Sequence, residues 1–579
     1  MNSCSLTLSS GLVSDWRHSG DMESQVECVD RQGDGRGGGG GGVVRTDEKS
    51  SNNNVRQENA AFTSPGIHPF RQALPQILAT TAKNILLVGY GMTLGFPTIV
   101  IPAIMAQTLA DPSGNLTLNG SQSSHDSHGS HDSLYLTKEQ ISWFSSINLI
   151  CVPVGSLLSG VLTQPFGRKP SMITLNIPFI AAWLVYHYAD SVVMLYAALA
   201  LTGFSGGVLE APVLTYVAEI TQPHLRGMLS ATASMCVILG VFLQFVLGIF
   251  MNWRTVALIN IVFPILAICA LCCVPESPHW LIGKGRIQEA EKSLQWLRGW
   301  VQPGDVQAEL SMLVKSIQSS AELHQQSRSW QPFLRRTFLR PYGIVALAFF
   351  AGHLGGMTTL QTFAVSIFAE LGTPVDKFIA TMLLGLVQLL GALVCVVSVH
   401  WTGKRPLTFV SLVGSSICFG LTAVYAHYHK LNPVSVDYSW MPLVLLVAAA
   451  FLTHTCIRLL PWILIGEVYP PEVRGTASGA SGSIGYIFGF LANKTYFLKL
   501  DILSLAGTFL VYSAVSMAGA VALYLVLPET EGRTLQEIQE HFAGTRNLLT
   551  EGRRSRREQG EPTKWAADNP AMDHQESHL

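Results

Sequence analysis

Charge is what this sequence has least of. Lys, Arg, Asp and Glu together supply 13% of its 579 residues, while 48% are hydrophobic; an average soluble domain is about 25% charged. A chain this poor in charge cannot cover a water-facing surface of its size, which excludes an ordinary soluble architecture and leaves lipid as the main environment. The net charge of −1 gives no footing for a nucleic acid or for a strongly acidic or basic partner. The ten cysteines fall mainly inside apolar runs, with Cys272 and Cys273 adjacent, and form neither a disulfide framework nor a CxxC metal pair. No set of nucleophile, base and oxyanion donors is visible, so neither an enzyme nor a cofactor is expected.

Long apolar runs are what the sequence does have. Crossing a hydrocarbon core roughly 30 Å thick takes about 20 residues. Twelve runs qualify, near 84–106, 140–163, 171–189, 192–215, 229–250, 255–274, 342–369, 377–399, 407–427, 441–466, 476–498 and 503–527. Their internal Gly and Pro are compatible with membrane helices, so the expected class is an all-α membrane protein. The first run starts near Asn84, too late for a cleaved signal peptide.

Basic residues orient the runs. Lys or Arg occurs at 168–169, at Arg226, between Lys284 and Arg340, at 404–405, at Arg474 and from Arg553 to Arg557, whereas the loop from Gln107 to Thr137 has none. The positive-inside rule puts both ends in the cytoplasm and that loop outside; the plasma membrane is the expected location, which the sequence does not itself fix. The loop carries two N-glycosylation sequons, at Asn115 and Asn119; a third match at Asn493 sits at a helix end, close to the membrane. His125, His128 and His131 beside Asp126 and Asp132 are zinc-ligand types, but a Ser/Gly/His-rich loop beside sequons reads as solvated and no metal is expected. Residues 1–75, with Gly37–Gly42 and many Ser and Asn, have a disorder composition. Ile287, Ala290, Leu294 and Leu297 stand at helical spacing and predict a short amphipathic helix within Gly285–Arg298.

A punctuation pattern is written twice. Glu219 and Arg226 close one apolar run, and Glu467 and Arg474 close another at the same spacing. Pro275-Glu-Ser-Pro278 and Pro528-Glu-Thr530 each follow a run, and Gly167-Arg-Lys169 and Gly403-Lys-Arg405 each lie between two runs. This ordered set, over roughly residues 80 to 540, resembles the sugar porter branch of the major facilitator superfamily; the stretches Ser142–Gln164 and Gly466–Phe490 are most similar to insect facilitated trehalose transporters. The resemblance implies a major facilitator fold of twelve transmembrane helices in two pseudo-symmetric six-helix halves, 80–274 and 341–528. A cytoplasmic linker would occupy 275–340 and a cytoplasmic tail 529–579. It also implies that Arg168, Lys169, Glu219, Arg226, Glu276, Lys404, Arg405, Glu467, Arg474 and Glu529 form inter-helix ion pairs that hold the inner side shut. The acid that usually opens the Gly-Arg-Arg motif is replaced by Gln164 and His400, which predicts a looser lock.

The resemblance further implies a substrate site between the halves that reads sugar hydroxyls with amides and one aromatic platform. Trp462 in Pro461-Trp462 matches the platform and Gln388 keeps an amide. The seventh helix departs: Gly352, His353 and Thr358 stand where amides are expected, with Gln361 one turn after Thr358 as partial compensation. Ser234 replaces a fifth-helix Gln, with Gln244 farther along, and Gly485 and Gly489 replace two eleventh-helix Asn. The first helix, Gly89–Gly95, lacks the acid of proton-coupled sugar porters, which favours uniport unless Glu210 carries a proton.

Glu210, His454 and Arg458 lie inside apolar runs, where an ionised group is costly unless paired or facing water, and are candidates by default. His454 and Arg458 are one turn apart, with His353 as a third member. Glu210 and Arg458 each precede the motif glutamate by nine residues, which predicts an ion pair across the halves at equal depth. Three readings follow: a facilitative carrier of a sugar (trehalose, hexose) or polyol, a carrier of a small organic anion on the same fold, or a transport-deficient nutrient sensor. The implied partners are a small-molecule substrate and the lipid bilayer; no obligatory protein partner is inferred.

Overall fold

The computed structural model describes residues 69–109, 136–326, 334–431, 438–469, 474–533 and 535–549. Asn115, Asn119, the His-rich loop and the Gly-rich tail lie outside these described residues. Among the described residues every regular element is a helix.

The N-terminal half contributes six spans: Pro69–Leu109, Lys138–Phe144 continued by Ile147–Thr163, Arg168–His187, Val192–Ile220, Pro223–Phe250, and Trp253–Asn260 continued by Val262–Cys272. The C-terminal half repeats the count. Its spans are Arg336–Leu354 continued by Met357–Glu370, Lys377–Thr402, Lys404–Leu431, Met441–Thr455 continued by Leu460–Val468, Arg474–Lys494 and Tyr496–Val526. Among the described residues ten of these are long and apolar enough to cross a membrane by composition. The third and eleventh are helices of 20 and 21 residues whose basic ends and small polar residues dilute their hydropathy. The first span begins about four turns earlier than its apolar run predicts, and within this extension buried Gln76 bonds both ways with Gln222.

Glycine lets spans approach backbone to backbone. A Cβ on Gly155 would lie 2.1 Å from Phe204 O and one on Gly207 2.1 Å from Val152 O, so the second and fourth spans tolerate nothing larger there. Helix starts are capped locally. Thr137 and Gln140 form a reciprocal capping box for the second span, and Asp376 accepts from the Phe378 and Ile379 amides at the eighth.

Between the halves runs a small helical layer, Pro278–Gly283, Ile287–Leu297 and Pro303–Gln326. Of the amphipathic stripe expected there, Ala290, Leu294 and Leu297 are buried and Ile287 is exposed. The buried Arg298 pairs with Glu309 at 2.6 Å and also donates to Ile220 O, which ties this layer to the last carbonyls of the fourth span.

The halves join most visibly at the end away from the basic motifs. Thr98 Oγ1 donates to Gln361 O at 2.9 Å, Ser142 Oγ to Lys494 O at 2.9 Å, and Asn493 Nδ2 to Ser145 O at 3.0 Å. Lys494 lies 4.0 Å from the Trp143 ring centroid and Lys138 pairs with Asp501 at 3.4 Å.

Candidate transport site between the two halves

Two broken spans of the C-terminal half frame the site. In the seventh, Gly355 and Gly356 interrupt the helix; Gly356 has φ +98°, and a Cβ there would lie 2.5 Å from the Tyr512 ring. In the tenth, Pro461 has no N–H to return to Ile457 O, and the chain leaves the helix at Cys456 (φ −155°, ψ −60°) before resuming at Leu460. Each break leaves backbone groups without intrahelical partners. Arg458, released by the second break, serves the first: its Nη1 donates to Gly352 O at 3.3 Å, near the C-terminal end of a helix segment where a cation is favoured.

The same nitrogen donates to Thr358 Oγ1 at 3.1 Å, and Thr358 Oγ1 lies 2.9 Å from His353 Nδ1. A guanidinium can only donate, and Arg458 Nη1 also lies 3.3 Å from His353 Nδ1, so that ring nitrogen is an acceptor and the histidine proton sits on Nε2, while Thr358 Oγ1 accepts from Arg458. His353 stacks on Phe349 with centroids 6.1 Å apart; Phe349 meets Trp462 edge-on at 5.2 Å, and Trp462 lies 6.0 Å from Tyr486 of the eleventh span. His353, Arg458, Trp462, Tyr486 and Gln361 are all only half-buried despite their depth, as expected of side chains lining an internal crevice.

Across the crevice stands Glu210 of the fourth span. Its Oε2 accepts from Ser156 Oγ of the second span, and its carboxylate sits against Gly482 of the eleventh, where a Cβ would lie 2.9 Å from Oε1. Tyr90 of the first span neighbours both Glu210 and Tyr486.

At the basic end each half builds the same cluster. Arg168 forms a two-pronged pair with Glu219 (2.9 and 3.2 Å), which also accepts from Ser277; Lys404 pairs with Glu467 at 2.7 Å and Glu531 at 3.0 Å, and Thr530 donates to Glu467. Glu276 accepts from the Arg168 and Lys169 amides, and Glu529 from those of Lys404 and Arg405, so each carboxylate caps the start of a helix. Gly167 (φ +107°) and Gly403 (φ +86°) turn into those helices, and a Cβ on either would lie 2.5 or 2.6 Å from the capping carboxylate. Burial pushes the Glu276 carboxyl up, partly offset by the Ser277, Lys169 and Arg168 amides. Burial would raise Glu531 too, but Lys404 and His400, which lies 2.7 Å away, together hold it below the usual carboxylate range.

Residues 91–542 match the profile of the sugar (and other) transporter family. The chain belongs to this family. It is 28% identical to a facilitated trehalose transporter Tret1 of Polypedilum vanderplanki over 71% of this chain and 81% of the relative, and 29% identical to that of Culex quinquefasciatus over 71% and 79%. Its fold is similar to the proton:xylose symporter XylE bound to 6-bromo-6-deoxy-D-glucose, with TM-score 0.61, 17% identity and coverage of 80% of this chain and 99% of the other. The partially occluded inward open conformation of XylE from E. coli gives TM-score 0.59 at 15% identity, covering 79% and 99%. The chain is therefore a multi-pass membrane transporter of major facilitator fold.

Within this transporter several expected groupings change. Glu210 and Arg458, expected at one depth, form no direct pair: one bonds Ser156 and the other Gly352, Thr358 and His353, because equal height on two helices does not set their facing. His454 does not join Arg458 on one helical face, since the helix breaks between them; its Nδ1 lies 2.9 Å from Ala450 O of its own helix. Lys169 and Arg405 meet carbonyls rather than acids, Lys169 at Cys272 O (3.1 Å) and Arg405 at Tyr524 O (2.7 Å), each at the end of a neighbouring span. Arg226 donates to Thr221 O; Arg474 opens the eleventh span and its side chain lies outside the described set. The described locks join helices of the same half, and His400 enters its lock through Glu531.

Gln388 is buried with Nε2 unpartnered, and Gln361 is half-open beside Thr358. Gln244 accepts from Asn260 at 2.9 Å within the N-terminal half, and its own Nε2 is buried without a partner. Sequence reasoning missed Tyr90, Ser156, Phe349 and Tyr486. A signal for Phe349 was present: a Cβ on Gly485 would lie 2.6 Å from its ring and one on Gly489 3.1 Å from His353 Nδ1, so the two eleventh-span glycines make room for larger seventh-span side chains.

Proposed function

We propose that this transporter carries a neutral sugar or polyol down its gradient by alternating access, binding it in the crevice between the halves. The observation that carries the reading is the aromatic wall of Trp462, Phe349 and Tyr486, together with the half-open Gln361 and the unpartnered Nε2 of Gln388. An apolar wall takes the C–H face of a sugar ring, and a few placed donors and acceptors read its hydroxyls. Broken helices at mid-membrane supply such sites in carriers, and relatives named as facilitated trehalose transporters support the substrate class.

Passive transport follows from the first span, whose Gly89–Gly95 turns hold no acid. The basic end faces the cytoplasm of the plasma membrane, with both termini inside and the Asn115 and Asn119 sequons outside. The contacts from Thr98 to Asp501 then close the outer end, and the basic-end clusters of Arg168, Glu219, Lys404 and Glu467 brace each half during the inward-facing state.

Reconstituted vesicles loaded with trehalose, glucose or a polyol test this. Exchange of labelled substrate should be indifferent to a protonophore and should fall about 2- to 13-fold in Trp462→Ala, the loss expected when an aromatic contact worth about 0.5–1.5 kcal/mol disappears. Accumulation driven by an imposed pH gradient would overturn passive transport, and absence of exchange with every neutral probe would overturn the substrate class.

A further inference from the structure

The Arg458 guanidinium commits one nitrogen to the protein. Nη1 serves Gly352 O, Thr358 Oγ1 and the neighbourhood of His353 Nδ1, whereas Nε and Nη2 meet no protein acceptor among the described residues. The side chain is half-open although it lies nine residues before Glu467, deep in the tenth span. A cation at that depth is tolerated when it faces a water-filled cavity or finds a counter-charge. The acid of matching height, Glu210, is engaged with Ser156 on the other half and is not within ion-pair distance of Arg458.

We propose that the crevice also takes carboxylate-bearing substrates, sugar acids of the uronate type, with the carboxylate on the Nε and Nη2 edge of Arg458. That edge is a planar pair of donors spaced for two parallel N–H to oxygen bonds, the geometry in which guanidinium and carboxylate bind most strongly. The Nη1 contacts fix the orientation of the fork beforehand, so little freedom is lost on binding. His353, with its proton on Nε2, adds a further donor beside it. The aromatic wall of Phe349, Trp462 and Tyr486 lies against the same group of residues and would hold the ring of a uronate as it holds that of a neutral sugar. The inference rests on this crevice being the substrate site, as proposed above, and adds a second substrate class to it.

Glucuronate and glucose are suitable probes, because they differ by a carboxylate in place of a hydroxymethyl group. With the full-length protein in liposomes, equilibrium binding of labelled glucuronate should exceed that of glucose about tenfold, one charge-assisted contact's worth of affinity. Carrying a monovalent anion moves charge, so an inside-positive potassium diffusion potential should accelerate glucuronate uptake and leave glucose uptake unaltered. Arg458→Gln should lower the glucuronate-to-glucose affinity ratio about tenfold, and Arg458→Lys, which keeps the charge and loses the fork, should lower it by less. Glucuronate bound no more tightly than glucose by the wild-type protein, uptake insensitive to potential, or an unaltered ratio in Arg458→Gln would overturn the proposal. Should Arg458→Gln fail to fold, the wild-type ratio and Arg458→Lys decide. Glucuronate carried without any neutral sugar would sink the neutral-sugar reading and leave this one standing; the reverse result would sink this one alone.

Discussion

Asn493 offers a direct measure of what holds the outer end closed. Its Nδ2 donates to Ser145 O at 3.0 Å, across the halves, and to Thr362 Oγ1 at 3.1 Å, within the C-terminal half; the residue is 1% exposed. Only the first bond must break when the halves part at this end, so it alone biases the conformational equilibrium. A buried intramolecular hydrogen bond is worth about 0.5–1.5 kcal/mol net, which converts to an opening equilibrium about 2- to 13-fold larger in Asn493→Ala. The Thr362 bond contributes to folding in both states. Thr362→Val should therefore lower thermal stability without favouring opening.

Hydrogen exchange read by mass spectrometry on the membrane-embedded protein separates the two effects. In Asn493→Ala, amides of 138–149 and 489–498 should exchange faster by the factor just given, while amides in the basic-end clusters keep their rates. Unchanged exchange at the outer end would refute the latch. So would a uniform acceleration along the whole chain, since that reports global destabilisation. The same burial predicts that Asn493, although it matches a sequon, carries no glycan.

Three further outcomes follow from the clusters. Gly403→Ala forces a side chain onto φ +86° and brings its Cβ to 2.6 Å from Glu529 Oε2; thermal unfolding in detergent should show a loss of about 1–3 kcal/mol. Glu531, held below the usual carboxylate range chiefly against its own burial by Lys404 and His400, stabilises the fold above its unfolded value near 4.5 and loses that contribution as pH falls through its lower folded value. Glu531→Gln should flatten that acid limb in a stability-against-pH series; an identical limb would exclude the carboxylate as its source. Glu210 and Arg458 share no hydrogen-bond partner, although both neighbour Tyr486, so the effects of Glu210→Gln and Arg458→Met on thermal stability should add to within about 0.5 kcal/mol, and a large coupling energy would show that they meet in another state of the cycle.

The glutamates of the basic end were legible in position but not all in role: Glu276 and Glu529, expected in ion pairs, accept instead from the backbone amides that open the next helices. A glycine that must take a positive φ and a carboxylate that caps the next helix keep fixed positions relative to the apolar runs, and the repeat of Glu219 at Glu467 and of Glu276 at Glu529 made the two halves visible. Lys169 and Arg405 were misread for a related reason. Their charge was evident, but whether it would meet an acid or the last carbonyls of a neighbouring span depended on helix ends brought together only by packing. Tyr90 and Tyr486 gave no signal at all, since an aromatic residue in an apolar run reads as lipid-facing or core until its neighbours are known.

Hydropathy is a property of the chain in one dimension, and so the sequence by itself determined the spans, their pairing into halves and the depth of every charged residue. Depth is counted in residues at about 1.5 Å each along a helix, which is why Glu210 and Arg458, each nine residues before a motif glutamate, were expected at the same level. Facing was decided by tertiary structure. The break at Cys456–Leu459 turned Arg458 toward Gly352 and away from His454, and the glycines at 485 and 489 admitted Phe349 and His353. The breaks have local causes in Gly355-Gly356 and Pro461, but which wall a side chain joins depends on contacts between residues about a hundred or more positions apart, and no local pattern in the sequence encodes them.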